Sequence, residues 1–183
     1  VLGGRIPLVE LLLARFALQA LFLLPVVLAM RISLNLKGRV LRLTVVRTVL
    51  HILGTTAMFA ALRYLPLADA IAIAFVMPFI MLILGKTVLN EDVGTRRILA
   101  CLVGFGGTLL VIQPSFASVG LPALLPLAVA LIFALFMLVT RQIAKEVDPL
   151  ALQCASGLIA TPILLLAAFA GTQLDLPGSA LIL

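Results

Sequence analysis

Acidic and aromatic side chains are scarce in this chain: seven Asp and Glu in total, no Trp, one Tyr and one His. A single histidine, with two cysteines set far apart, cannot build a metal site. Cys101 and Cys154 each lie inside an apolar run and read as small core residues. No HExxH pair and no GxSxG elbow is present, so hydrolytic chemistry has no carrier. Gly85-Lys86-Thr87 imitates the tail of a phosphate-binding loop, but Ile80 stands where that loop needs glycine. No cofactor and no metal is expected, and catalysis is unsupported.

Charge is equally thin. Charged residues make up 11% of the chain against 64% hydrophobic, with a mean hydropathy of +1.33. That leaves too little polar surface to cover a soluble globule. The net charge of +6 does not point to nucleic acid, because the basic residues sit between apolar runs instead of forming a patch. The expected partner is the lipid bilayer. Hydrocarbon admits only helices or closed barrels, and long continuous apolar runs select helices.

Runs long enough to cross a core of about 30 Å at 1.5 Å per residue occupy 7–30, 43–65, 67–90, 97–113, 121–140 and 150–171. The breaks carry turn chemistry: Asn35 and Gly38, Leu65-Pro66, Asn90 to Gly94, Pro114-Ser115, Asp148-Pro149 and Pro177-Gly178. The chain opens on Val1, and 180–183 reads as the start of a seventh helix, so it is expected to be an interior fragment. The fold expected is an all-α, polytopic helix bundle.

Basic residues orient it. Arg31, Lys37, Arg39, Arg42, Lys86, Arg96, Arg97, Arg141 and Lys145 follow the first, third and fifth spans, while Arg5 and Arg63 lie at the other ends. Loops that retain Lys and Arg are cytoplasmic, so the first span runs from outside to inside. Pro7-Leu8 opens the first span and Pro149-Leu150 the sixth. A repeat five spans long is inverted across the membrane, an arrangement frequent among transporters.

Within the second span, Arg47, His51, Thr55 and Met58 share one helical stripe. Arg47 either snorkels to headgroups or faces inward. His51 either lines a wet cavity or makes a structural interhelical bond. Pro78, flanked by Phe75 and Phe79, interrupts the third span as a gating kink or a purely structural one. These six, Arg47, His51, Thr55, Met58, Phe75 and Pro78, are the substrate-pathway candidates. Ala100, Gly104 and Thr108 form a small-residue face suited to helix packing. Arg15 and Glu10 are off-register for a direct pair, so Arg15 is expected to meet an anionic group or a carboxylate on another helix. Asp69 is read as a local ion-pair partner or an N-terminal helix charge.

The stretch Ala61 to Pro114, ALRYLPLADAIAIAFVMPFIMLILGKTVLNEDVGTRRILACLVGFGGTLLVIQP, resembles the EamA-like branch of the drug/metabolite transporter superfamily. The resemblance rests on the outward turn at Tyr64 to Ala70, the mid-helix Pro78, Glu91 at the next turn, and the glycine-rich helix Gly104 to Gly107 ending at Pro114. It implies ten helices in two inverted repeats of five, in a multi-pass protein of the bacterial inner membrane. Residues 1–114 are then helices two to five of the first repeat, and 115–183 the start of the second. The activity it implies is secondary active or facilitative transport of small organic metabolites or drugs by alternating access. This version looks similar to members associated with S-adenosylmethionine uptake. The competing class is a membrane-embedded enzyme acting on a lipid-soluble substrate.

Overall fold

The computed structural model describes residues 8–34, 36–88, 90, 92–112 and 124–173, and all regular structure among them is helical. The helices are α1 (Leu8–Ala29), α2 (Gly38–Ala61), α3 (Leu67–Ala74), α4 (Met77–Val88), α5 (Thr95–Ile112), α6 (Leu124–Ile143) and α7 (Pro149–Gln173). Arg5, Pro7, Asn35, Glu91, Pro114, Ser115, Pro177-Gly178 and the helix expected from 180 lie outside the described residues.

Five helical stretches among the described residues are long and apolar enough to cross a membrane: α1, α2, α3 with α4, α6, and Pro149–Phe169 of α7. The fourth expected span, 97–113, corresponds to α5, which is helical over Thr95–Ile112. α2 begins five residues before its apolar run: basic side chains favour helix, so it continues beyond the hydrocarbon through Arg39 and Arg42.

The chain forms two compact units, residues 1–52 with 139–183, and residues 53–138. In the first, α1 packs along α7. α1 contributes a stripe of Leu8, Leu12, Phe16 and Ala20, all buried, at the four-residue spacing that repeats one helical face. An added Cβ at Gly157 would stand 3.1 Å from Ala20 N and Phe16 O, so glycine permits backbone contact between these helices. α1 ends in a left-handed residue, Arg31 (φ 53). Ile32 N donates to Val27 O and Arg31 N to Leu28 O, which caps the last carbonyls. α7 starts on Pro149, with Asp148 Oδ1 accepting from Leu150 N at 2.8 Å.

In the second unit the span expected at 67–90 is two helices. Pro78 has no N–H to offer the carbonyl four residues back, and the chain leaves the α-helix at Phe75 and Val76 before restarting at Met77. Pro78 therefore sits in the first turn of α4, where its missing donor costs nothing. Leu65, Ala70 and Ile73 form a core cluster around the turn into α3, and Met58 and Leu62 of α2 pack against it. An added Cβ at Gly54 would meet the Phe133 ring of α6 at 3.1 Å. At Gly104 an added Cβ would meet nothing within 4 Å, and Ala100 and Gly104 are exposed. Among the described residues the close glycine contacts are thus at Gly54 and Gly157, and helix packing on the Ala100, Gly104 and Thr108 face remains a proposal.

Candidate functional site

The α2 stripe carries Thr44, Arg47, Thr48 and His51 at i, i+3, i+4 and i+7, all within the first unit. A polar face inside a membrane span must find partners, because lipid offers none. The threonines find theirs on their own helix: Thr44 Oγ1 donates to Val40 O and Thr48 Oγ1 to Thr44 O, each at 2.8 Å. Both are fully buried.

Arg47 finds its partners on other helices. Its Nε donates to Thr140 Oγ1 on α6 at 2.9 Å, its Nη1 to Ser156 Oγ on α7, and its Nη2 to Gln153 Oε1 at 3.1 Å. Only 6% of the residue is exposed, so Arg47 faces inward and does not snorkel. Ser156 Oγ in turn donates its hydroxyl to Leu152 O at 2.9 Å. Gln19 of α1 donates to the Gln153 carbonyl at 2.8 Å. One guanidinium thereby joins α2 to α6 and α7, with α1 tied in through the amide of Gln19.

One helical turn further along α2 stands His51, half-buried. It lies eight residues, about 12 Å, into the apolar run that begins at 43, inside the hydrocarbon. Arg15 of α1 brings Nη2 to 3.3 Å from His51 Nε2. A guanidinium has no acceptor, so the bond draws on the Nε2 lone pair and places the ring proton on Nδ1. Phe16, fully buried, meets the His51 ring edge-on at 5.3 Å and 81°. Arg15 Cζ lies 5.4 Å from the Phe16 ring centre. Among the described residues the protein groups that meet Arg15 are thus an imidazole and an aromatic face, in place of the carboxylate expected on another helix.

The other candidates lie in the second unit. Thr55 is half-buried on α2, Met58 packs on the Leu65 cluster, Phe75 is exposed at the break, and Pro78 lies in the first turn of α4. Phe79 of α4 meets Phe105 of α5 edge-on at 5.7 Å. Below that pair, Leu82, Ile83, Lys86, Val93 and Ile98 help to line an apolar groove of about 240 Å³. Asp69 is buried in the first turn of α3. Among the described residues no group of three His, Cys, Asp or Glu is placed to hold a metal ion.

Four participants, Gln19, Thr140, Gln153 and Ser156, were not singled out from the sequence. Their signal was available: each is a hydrogen-bonding side chain inside an apolar span, where such residues bond across helices.

Against known proteins, the sequence pattern of the EamA-like transporter family matches residues 1–113. The chain is 33% identical to a riboflavin transporter of Rhizobium johnstonii over 64% of its own length and 39% of the relative's. It is 26% identical to a riboflavin transporter of Vibrio cholerae, over 88% of the chain and 55% of the relative. An S-adenosylmethionine uptake transporter of Rickettsia prowazekii is 25% identical, over 86% and 53%. The chain thus spans roughly half the length of the curated relatives it matches. No solved structure matches.

Proposed function

The chain belongs to the EamA-like transporter family, and from that membership we propose that it moves small organic metabolites across the membrane by alternating access. It is a multi-pass protein of the plasma membrane, carrying five helices fit to span it among the described residues. The family and the relatives' names point to transport and away from enzymatic chemistry. Candidate solutes are those of the relatives, riboflavin and S-adenosylmethionine. The match over 1–113 supports a first repeat ending near 114, with 115–183 opening a second inverted repeat in a ten-helix fold.

The observation that carries this reading is the Arg15 to His51 contact, inside the apolar spans of two membrane helices. Ionisable groups at such depth face a wet cavity or a bundle interior, and transporters of inverted-repeat architecture bind solute near the midplane. Arg47 and its neutral partners hold the surrounding helices in register, and His51 lines the path. Thr55, Met58, Phe75 and Pro78, in the second unit, are proposed as further substrate-pathway residues.

The test is counterflow of labelled riboflavin and labelled S-adenosylmethionine in proteoliposomes of the full-length protein. Accumulation of either against its own unlabelled pool supports the proposal. Chemical conversion of a solute without its movement overturns it.

A further inference from the structure

We propose that Arg15, braced by His51 and Phe16, is a subsite for the carboxylate of a small organic solute. The assignment rests on the transporter reading above and selects between its candidate solutes: the amino-acid end of S-adenosylmethionine carries a carboxylate, and riboflavin carries none.

A guanidinium inside the hydrocarbon is costly when it meets lipid. Long basic side chains usually escape by extending to headgroups. Arg15 does not extend. Its Cζ lies 5.4 Å from the Phe16 ring centre, and its Nη2 reaches inward to His51, 3.3 Å away. Phe16 cannot yield, since it is fully buried and its carbonyl lies at the close approach of Gly157. The fork is therefore held at one place before any solute arrives, which lowers the entropy lost on binding.

What the fork offers is one-sided. Guanidinium carries five N–H donors and no acceptor, one of them is directed at His51, and the residue is exposed. A planar array of donors bearing positive charge matches two oxygens of a carboxylate in parallel bonds. Arg47 is buried, with Nε, Nη1 and Nη2 each donating to a neutral acceptor; it adds positive field and no contact. A cationic group meets two guanidinium charges on this face and is repelled.

Benzoate, benzamide and benzylammonium share one ring and differ in the charge of the head group, so they separate carboxylate recognition from ring binding. Unfolding of the full-length protein in detergent is followed by a thiol-reactive dye as Cys154, fully buried on α7, becomes accessible. Benzoate is expected to raise the unfolding temperature saturably, with apparent affinity about tenfold above benzamide, the margin of a charge-assisted over a neutral bond. Benzylammonium is expected to give no shift. Arg15→Gln should reduce benzoate to the level of benzamide, and Arg15→Lys should keep part of the preference.

Equal responses to benzoate and benzamide in the unsubstituted protein overturn the proposal, as does a benzoate preference that survives Arg15→Gln. If Arg15→Gln does not fold, the comparison on the unsubstituted protein decides alone. Solute counterflow on the same preparation separates the two readings. Flux without benzoate preference defeats the subsite only; benzoate preference without flux of any solute defeats the transporter reading only.

Discussion

Arg47 on α2 and Gln153 on α7 stand 106 positions apart in sequence and meet at 3.1 Å. With Thr140 and Ser156 completing the set, Arg47 makes three bonds between helices. Measured bonds of this type inside membranes average about 0.6 kcal/mol each. Arg47→Ala is thus expected to lower stability by about 2 kcal/mol, with Arg47→Lys intermediate because an ammonium lacks the fork. Reversible unfolding in mixed micelles measures both. A change in Arg47→Ala no larger than in Val46→Ala, at an exposed neighbour, would show that the network adds nothing.

Gly157 and Gly104 should respond differently to the same addition. A methyl at Gly157 pushes on backbone atoms of α1 at 3.1 Å, whereas one at Gly104 enters open space. Gly157→Ala should cost about 1–3 kcal/mol through overpacking. Gly104→Ala should be neutral or gain up to about 1 kcal/mol of helix propensity. Thermal unfolding compares them, and an equal loss at Gly104 would mean that another helix of the full-length protein covers that face.

His51→Ala is expected to alter the kinetics of counterflow while leaving membrane insertion intact, because the ring meets Arg15 and Phe16 inside the apolar span. Thr55→Val should do so more weakly. Leu53→Ala, at an exposed apolar position on α2, should leave transport unchanged. Normal transport in His51→Ala, together with cysteines at 51, 55 and 58 that resist water-soluble thiol reagents, would make this stripe a packing seam.

The ion pair between Arg39 and Glu146 is 2.8 Å long but half open to solvent, with side chains 58% and 45% exposed. Screening leaves such a pair at most about 0.5 kcal/mol. Glu146→Gln should therefore change the unfolding midpoint little, and less still at 1 M salt. A large, salt-insensitive loss would contradict the solvent exposure of the pair.

Orientation follows from the basic loops. Single cysteines at Arg39, Arg97 and Lys145 are expected to resist impermeant reagents in intact cells, and one at Tyr64, exposed in the turn beside Leu65, to react. Strong labelling at Arg97→Cys from outside would invert the topology.

Hydropathy alone determined that the chain is helical and membrane-spanning, because lipid leaves a polar backbone no other solution and the apolar runs have spanning length. The motif around Tyr64, Pro78 and Gly104 was enough to indicate the family. Local chemistry also marked the start of α7, where Asp148 and Pro149 suit an N-cap and first turn on any helix. The periodicity of α2 put Arg47 and His51 on one face, since 3.6 residues per turn is a property of the helix itself. What that face met was decided only in three dimensions. Whether Arg47 reached headgroups or Gln153, and whether Arg15 met a carboxylate or His51, depends on which helices lie alongside, and α1 and α7 are brought together by close backbone packing at Gly157 from opposite ends of the sequence. Glycine reads the same wherever it occurs in a span. Only the tertiary structure distinguishes Gly157, with a backbone against it, from Gly104, with none among the described residues.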